Sequence, residues 1–148
     1  MTNKEYINAY KKTQQSSNTE TSSHEIVRTL MKELVNSMHK IVLDIQDDRA
    51  KKVDKYTLDK ALDEKITLNK SKNLSKSLSI IYGLQTSLDF DKALEIANNL
   101  FQLYEYCRQE IIKGFSQKIE NGIIKAIDII KKIMEGWEEI PSLERKDG

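Results

Sequence analysis

The chain of 148 residues is 39% hydrophobic and 32% charged, which fits one globular domain with a buried core and excludes a wholly disordered chain. Its 24 basic and 23 acidic residues leave a formal net charge of +1, which excludes the strongly basic surface that nucleic acid demands and gives no reason to expect an acidic membrane as partner. The single cysteine, Cys107, cannot close an internal disulfide, no stretch approaches the roughly 18 apolar residues of a membrane span, and residues 1–10 lack a signal-peptide core, so a cytoplasmic protein is expected.

Residues 1–22 are polar, with Tyr6, Ile7 and Tyr10 as the large apolar anchors, and are expected to form a mobile N-terminal arm or a short helix on a linker. A first long helix begins with Ser22 or Ser23 as N-cap, and Glu25 stands at capping-box spacing from Ser22. Ile26, Val27, Leu30, Met31, Leu34, Val35, Met38, Ile41, Val42 and Ile45 then follow in steps of three and four, a stripe wide enough to meet two neighbouring helices. Residues 47–70 are dominated by charges of both signs and are expected to be an exposed helical or half-ordered insertion, in which Thr57 could cap a short helix through Ile66.

A second long helix is predicted from about Leu74 to Ser87, with Leu74, Leu78, Ile81, Leu84 and Leu88 on one face. Asp89 or Asp91 is the expected start of the third, whose stripe is Ala93, Ile96, Ala97, Leu100, either Leu103 or Tyr104, Cys107 and Ile111, and Gly114 is expected to end it at positive φ. The fourth runs from about Ile119 to Glu138 with Ile123, Ala126, Ile127, Ile130, Ile133, Met134 and Trp137 inward; Gly122 near its start costs roughly 1 kcal/mol relative to Ala, which packing must offset. Pro141 lies beyond that helix, and 141–148 is expected to be a disordered tail. Five glycines and this one proline are too few for a β-rich fold. The class is all-α: an antiparallel four-helix bundle over 23–140, with the arm before it and the charged segment within it.

Catalytic chemistry finds little support. A di-metal carboxylate site in a bundle needs paired Glu-x-x-His motifs, but Thr21 precedes His24 by three and Asn36 precedes His39 by three, so no metal is expected. Each histidine reads as an ordinary surface or boundary residue, and Cys107, on an apolar face with no histidine near it in sequence, as a small core residue. No phosphate loop or nucleophile elbow is present, and neither enzyme nor cofactor is expected. Asn98 and Asn99 inside a helix stripe either face solvent and a neighbouring loop or meet a partner's backbone. The rings of Phe101, Tyr104 and Tyr106 divide between core packing and a groove for another chain's helix.

The stretch Ser77–Tyr106, SLSIIYGLQTSLDFDKALEIANNLFQLYEY, resembles the middle of the FliS family of flagellin-specific export chaperones. Ser87, Leu88 and Asp89 match a Ser-Leu-Asp segment; Glu95, Ile96, Ala97, Asn99 and Leu100 match Glu-Ile-Ala-x-Asn-Leu; Leu103, Tyr104 and Tyr106 match Leu-Tyr-x-Tyr. Trp137 falls where the family usually carries Trp, and Asn8-Ala9-Tyr10-Lys11 is similar to its N-terminal Tyr motif. The chain departs from the family pattern at Ser23, which replaces a proline; at Met31-Lys32-Glu33, which stands for Tyr-Asp-Gly; at Ala93-Leu94, which replaces a Gly pair; and in the length of 47–70. The resemblance implies a binder of the disordered C-terminal region of flagellin, with the flagellar export gate as a second contact and self-association as a further candidate. The residues it marks for the partner are Tyr10, Ile26, Leu30, Met31, Leu34, Asn99, Leu100, Leu103, Tyr104 and Tyr106. The alternative is a bundle module that pairs with another protein, or with itself, through the same stripe.

Overall fold

The computed structural model describes residues 23–50 and 60–138, which form four helices and no strand: α1 (Ser23–Ala50), α2 (Lys60–Thr86), α3 (Leu94–Gln117) and α4 (Asn121–Glu138). The expected arm and its Tyr10, the Ser22 cap, Thr57, and the 141–148 tail lie outside the described residues. The helices follow one another around a ring, each antiparallel to its neighbours, so α1 and α3 sit on a diagonal and touch little. Polar pairs mark three of the four seams. Arg28 at the start of α1 meets Glu138 at the end of α4 at 2.9 Å, and Arg49 at the end of α1 pairs with Glu120 just before α4. Lys76–Glu33 at 2.6 Å and the Lys70–Asp48 pair join α1 to α2, and Gln85 on α2 donates to Glu105 on α3 at 3.1 Å.

The α1 stripe is consumed by this arrangement. Val27, Met31, Leu34, Val35, Met38, Ile41, Val42 and Ile45 all lie in the core, because α2 covers one flank of the stripe and α4 the other. The charged segment is helical where described: Asp47 to Ala50 finish α1, and Lys60 to Lys70 open α2, which therefore starts well before the expected Leu74. Lys, Ala, Leu and Glu there are good helix formers, and no Gly or Pro interrupts the chain before Gly83.

The Ser-Leu-Asp segment is the turn between α2 and α3. The Ser87 hydroxyl donates to the Gly83 carbonyl at 2.6 Å and the Thr86 hydroxyl to that of Tyr82 at 2.9 Å, closing carbonyls that the helix end leaves open. Leu88 drops into the core. The Asp89 carboxylate accepts the N–H groups of Asp91 and Lys92 at 3.0 and 3.2 Å, so it caps this turn and not α3, which begins only after Ala93 without a side-chain cap.

Gly114 departs from its expected role. It lies inside α3 and is buried, and the left-handed residue that ends the helix is Lys118 at φ 57°. A Cβ at Gly114 would stand 2.6 Å from Ile123 Cδ1 and 2.7 Å from the Ile119 carbonyl oxygen. The glycine is required for close approach of α4, not for its freedom at positive φ.

Candidate functional site

The residues marked for a partner divide by depth. Met31, Leu34, Leu100 and Tyr104 are fully or almost fully buried and offer a partner no surface while the bundle is closed. Ile26 and Leu30 are half-buried at the edge of α1, and Leu30 packs against the core. Asn99, Leu103 and Tyr106 are exposed, the last two at 39% each. Periodicity left Leu103 and Tyr104 as alternatives for the core; the structure places Tyr104 inside and leaves Leu103 on the flank.

Steps of four, three and four along α3 align Asn99, Leu103, Tyr106 and Glu110 in one strip. The strip runs beside α4, since the Glu110 carboxylate occupies the space that a Cβ at Gly122 would need, and Gly114 lies against Ile123 further along. Gly122 is thus the residue that lets the strip close on the start of α4, the packing that offsets its helix cost. Behind the strip, the Cys107 thiol donates weakly to the Ala126 carbonyl at 3.7 Å. Burial, and then the nearby Glu110 charge, pushes that thiol up to about 12, so it stays protonated and is no nucleophile.

On the opposite flank of α3 the polar groups are tied down. The Arg108 guanidinium and the Gln85 amide hold the Glu105 carboxylate down to about 2, and Gln85 also reaches the Phe101 carbonyl at 3.4 Å. Phe101 meets Phe90 edge-on with ring centroids 6.2 Å apart, above the α2–α3 turn. Asn98 and Asn99 are both exposed.

Sequence reasoning missed two features. His24 is buried and forms a reciprocal clasp with Trp137: its Nε2–H donates to the Trp137 carbonyl at 2.9 Å, while Trp137 Nε1–H donates to the His24 carbonyl at 2.9 Å. Their rings stack with centroids 5.0 Å apart. The two residues are 113 positions apart, beyond the reach of any periodicity. The second feature is a set of exposed apolar side chains outside the stripes: Tyr82, Leu94, Ile112 and Ile124. Their signal was present, as apolar residues out of phase with the core spacing. Among the described residues no group of His, Cys, Asp and Glu could hold a metal, and no helix is long and apolar enough to cross a membrane.

Residues 6–144 match the family described as "Flagellar protein FliS". A "Flagellar secretion chaperone FliS" of Vibrio cholerae is 32% identical over 49% of this chain and 53% of its own length. The protein of the same name from Salmonella typhimurium is 33% identical over 48% of this chain and 53% of its own. A "Flagellar secretion chaperone FliSB" of Pseudomonas aeruginosa is 27% identical over 45% and 53%. The aligned part of the chain thus spans about half the length of each relative.

Proposed function

This chain belongs to the FliS family, and from that membership we propose that it is a cytoplasmic export chaperone for flagellin. It holds the disordered C-terminal region of flagellin against the bundle, keeps it from polymerising, and passes it to the flagellar export apparatus. The observation that carries the proposal is the exposed strip of α3, where Leu103 and Tyr106 stand open beside Asn99 in the segment that resembles the family most.

An amphipathic client helix needs apolar anchors in a row, and Leu103 and Tyr106 at i and i+3 provide two. Asn99 adds an amide that can pair with client backbone, and Glu110 sets a charge at the far end. Coupled folding and binding buries roughly 1,000–3,000 Å² and spends about 2–5 kcal/mol on ordering, more than one short strip supplies. The exposed Leu94 and Ile112 lie on the other flank of α3, in step with Phe101, Glu105 and Arg108, so a client that wraps around α3 from the strip can reach that area. Met31, Leu34, Leu100 and Tyr104 serve the surface from behind by fixing the helices that carry it.

The test is to mix the chain with flagellin and follow the complex by size exclusion with light scattering. A soluble one-to-one complex is expected, lost when the C-terminal region of flagellin is removed. Replacing both Leu103 and Tyr106 by Ala should weaken it by roughly ten- to a hundredfold. No complex, or one indifferent to the flagellin truncation, rejects the proposal.

A further inference from the structure

The strip of Asn99, Leu103, Tyr106 and Glu110 has a counterpart on α4. Gly122, Lys125, Ile129 and Lys132 follow in steps of three, four and three, so they share one face of that helix. That face adjoins the strip, because the Glu110 carboxylate fills the place of a Cβ at Gly122 and the Cys107 thiol reaches the Ala126 carbonyl. The two helices are antiparallel neighbours, so counting seven residues back from Glu110 and seven on from Gly122 sets Leu103 across the seam from Ile129. Ile129 is half-buried and packs against the core, whereas Lys125 and Lys132 to either side of it are exposed.

Among the described residues, neither lysine forms an ion pair. Asp128, the carboxylate between them in sequence, is exposed and lies further round α4, on the side away from α3. On α3, Glu110 stands at the Gly122 end, and Leu103 and Tyr106 fill the strip from there to Asn99. The middle of the seam is therefore apolar along Leu103 and Ile129 and cationic along its α4 rim. We propose that Lys125 and Lys132 determine specificity: they select a client helix with carboxylates two turns apart on one flank of its apolar face. This rests on the α3 strip being the client surface. Seven residues of helix span about 10 Å, so a client helix anchored on Leu103, Tyr106 and Ile129 can bring two such carboxylates to both lysines at once. Each contact is a charge-assisted hydrogen bond, and a segment with Lys or Arg at those positions meets like charge instead. The apolar anchors supply affinity, and the rim charges choose the segment and fix its register.

Titration calorimetry of the full chain with flagellin, at low and high salt, tests this. Parent affinity should fall as salt is added. Lys125→Glu with Lys132→Glu in one chain should bind at least about tenfold more weakly. Lys131→Glu, the same change one residue away on a face turned from α3, should bind like the parent. Both lysines are exposed, so the charge-reversed chain should melt at the parent's temperature. Lys125→Gln with Lys132→Gln removes charge without reversing it and should weaken binding about threefold. A second arm neutralises the client. With Asp and Glu of the flagellin C-terminal region changed to Asn and Gln, the parent should bind about tenfold more weakly, and the charge-reversed chain no worse than the parent. A charge-reversed chain that binds native flagellin like the parent overturns the proposal, as does a loss of equal size for native and neutralised client. If Leu103→Ala with Tyr106→Ala still weakens the complex in those cases, the client surface on α3 stands without the lysines. A parent chain that does not bind flagellin overturns both.

Discussion

Helices α1 and α3 both carry apolar residues at helical spacing, and both were expected to present them to a partner, yet of the residues marked for it only those on α3 are exposed. On α1 the stripe from Val27 to Ile45 is buried but for Leu30 at its edge, whereas on α3 Leu103, Tyr106 and Ile112 remain open beside a core of Ile96, Leu100, Tyr104, Cys107 and Ile111. The difference does not lie in hydrophobic content. It lies in phase: α1 keeps most of its large apolar residues within the arc that α2 and α4 cover, and α3 spreads some of its own past the edge of that arc. Most apolar residues in phase with their stripe are core, and Leu43, Leu103, Tyr106 and Ile112, out of phase, stay exposed.

The largest expected effect concerns the buried side. Met31→Ala or Leu34→Ala should lower unfolding free energy by about 2–5 kcal/mol in chemical denaturation, because each leaves a cavity among fully enclosed neighbours. A loss below about 1 kcal/mol would mean that α1 is not the enclosed helix described here. Gly114→Ala comes next, at about 1–3 kcal/mol, since the new methyl group meets a backbone oxygen that cannot move aside and the tip of Ile123. Gly83→Ala is the control: open space surrounds that position, and alanine there should cost nothing or stabilise the helix slightly.

A smaller effect is pH-dependent. Glu105 is held below its ordinary value of 4.5, down to about 2, so the folded state binds this proton more weakly than the unfolded chain does. Its contribution is complete above pH 4.5 and is lost as the pH falls towards about 2. Thermal melts of Glu105→Gln should therefore show a shallower decline over that window than the parent; an identical decline removes Glu105 from the seam between α2 and α3. The smallest effect on stability belongs to the open strip. Leu103→Ala and Tyr106→Ala should each change unfolding free energy by about 0.5 kcal/mol or less, while flagellin affinity falls. A large stability loss in either would place it with the core and erase the contrast between the two helices.

The fold was legible because it rests on local rules. Scarce glycine and proline, apolar steps of three and four, and the Ser87-Leu88-Asp89 break were enough to predict four antiparallel helices, and the structure has them. Boundaries were less legible where charge masked periodicity: residues 60–70 fall within the 47–70 segment expected as an insertion, but they open α2, with Lys70 and, just beyond, Asn73 bonded to Asp48 and Asp44 across the hairpin. Gly114 was misread for a similar reason. A glycine near a helix end suggests a left-handed cap, whereas a close approach by another helix leaves no trace in the glycine's own neighbours in sequence.

By itself, then, the sequence determined helix number, the inward face of each helix, and the family resemblance carried by residues 77–106, since all three depend on residues within a few turns of one another. Only the tertiary structure decided how far each face is covered: that Tyr104 is inside and Leu103 outside, that His24 and Trp137 lock the first helix to the last, and that Met31 and Leu34 are out of a partner's reach. Coverage depends on which helix lies alongside and how closely, and that is set by residues far away in the chain, such as Gly114 and Gly122 admitting α4 to α3.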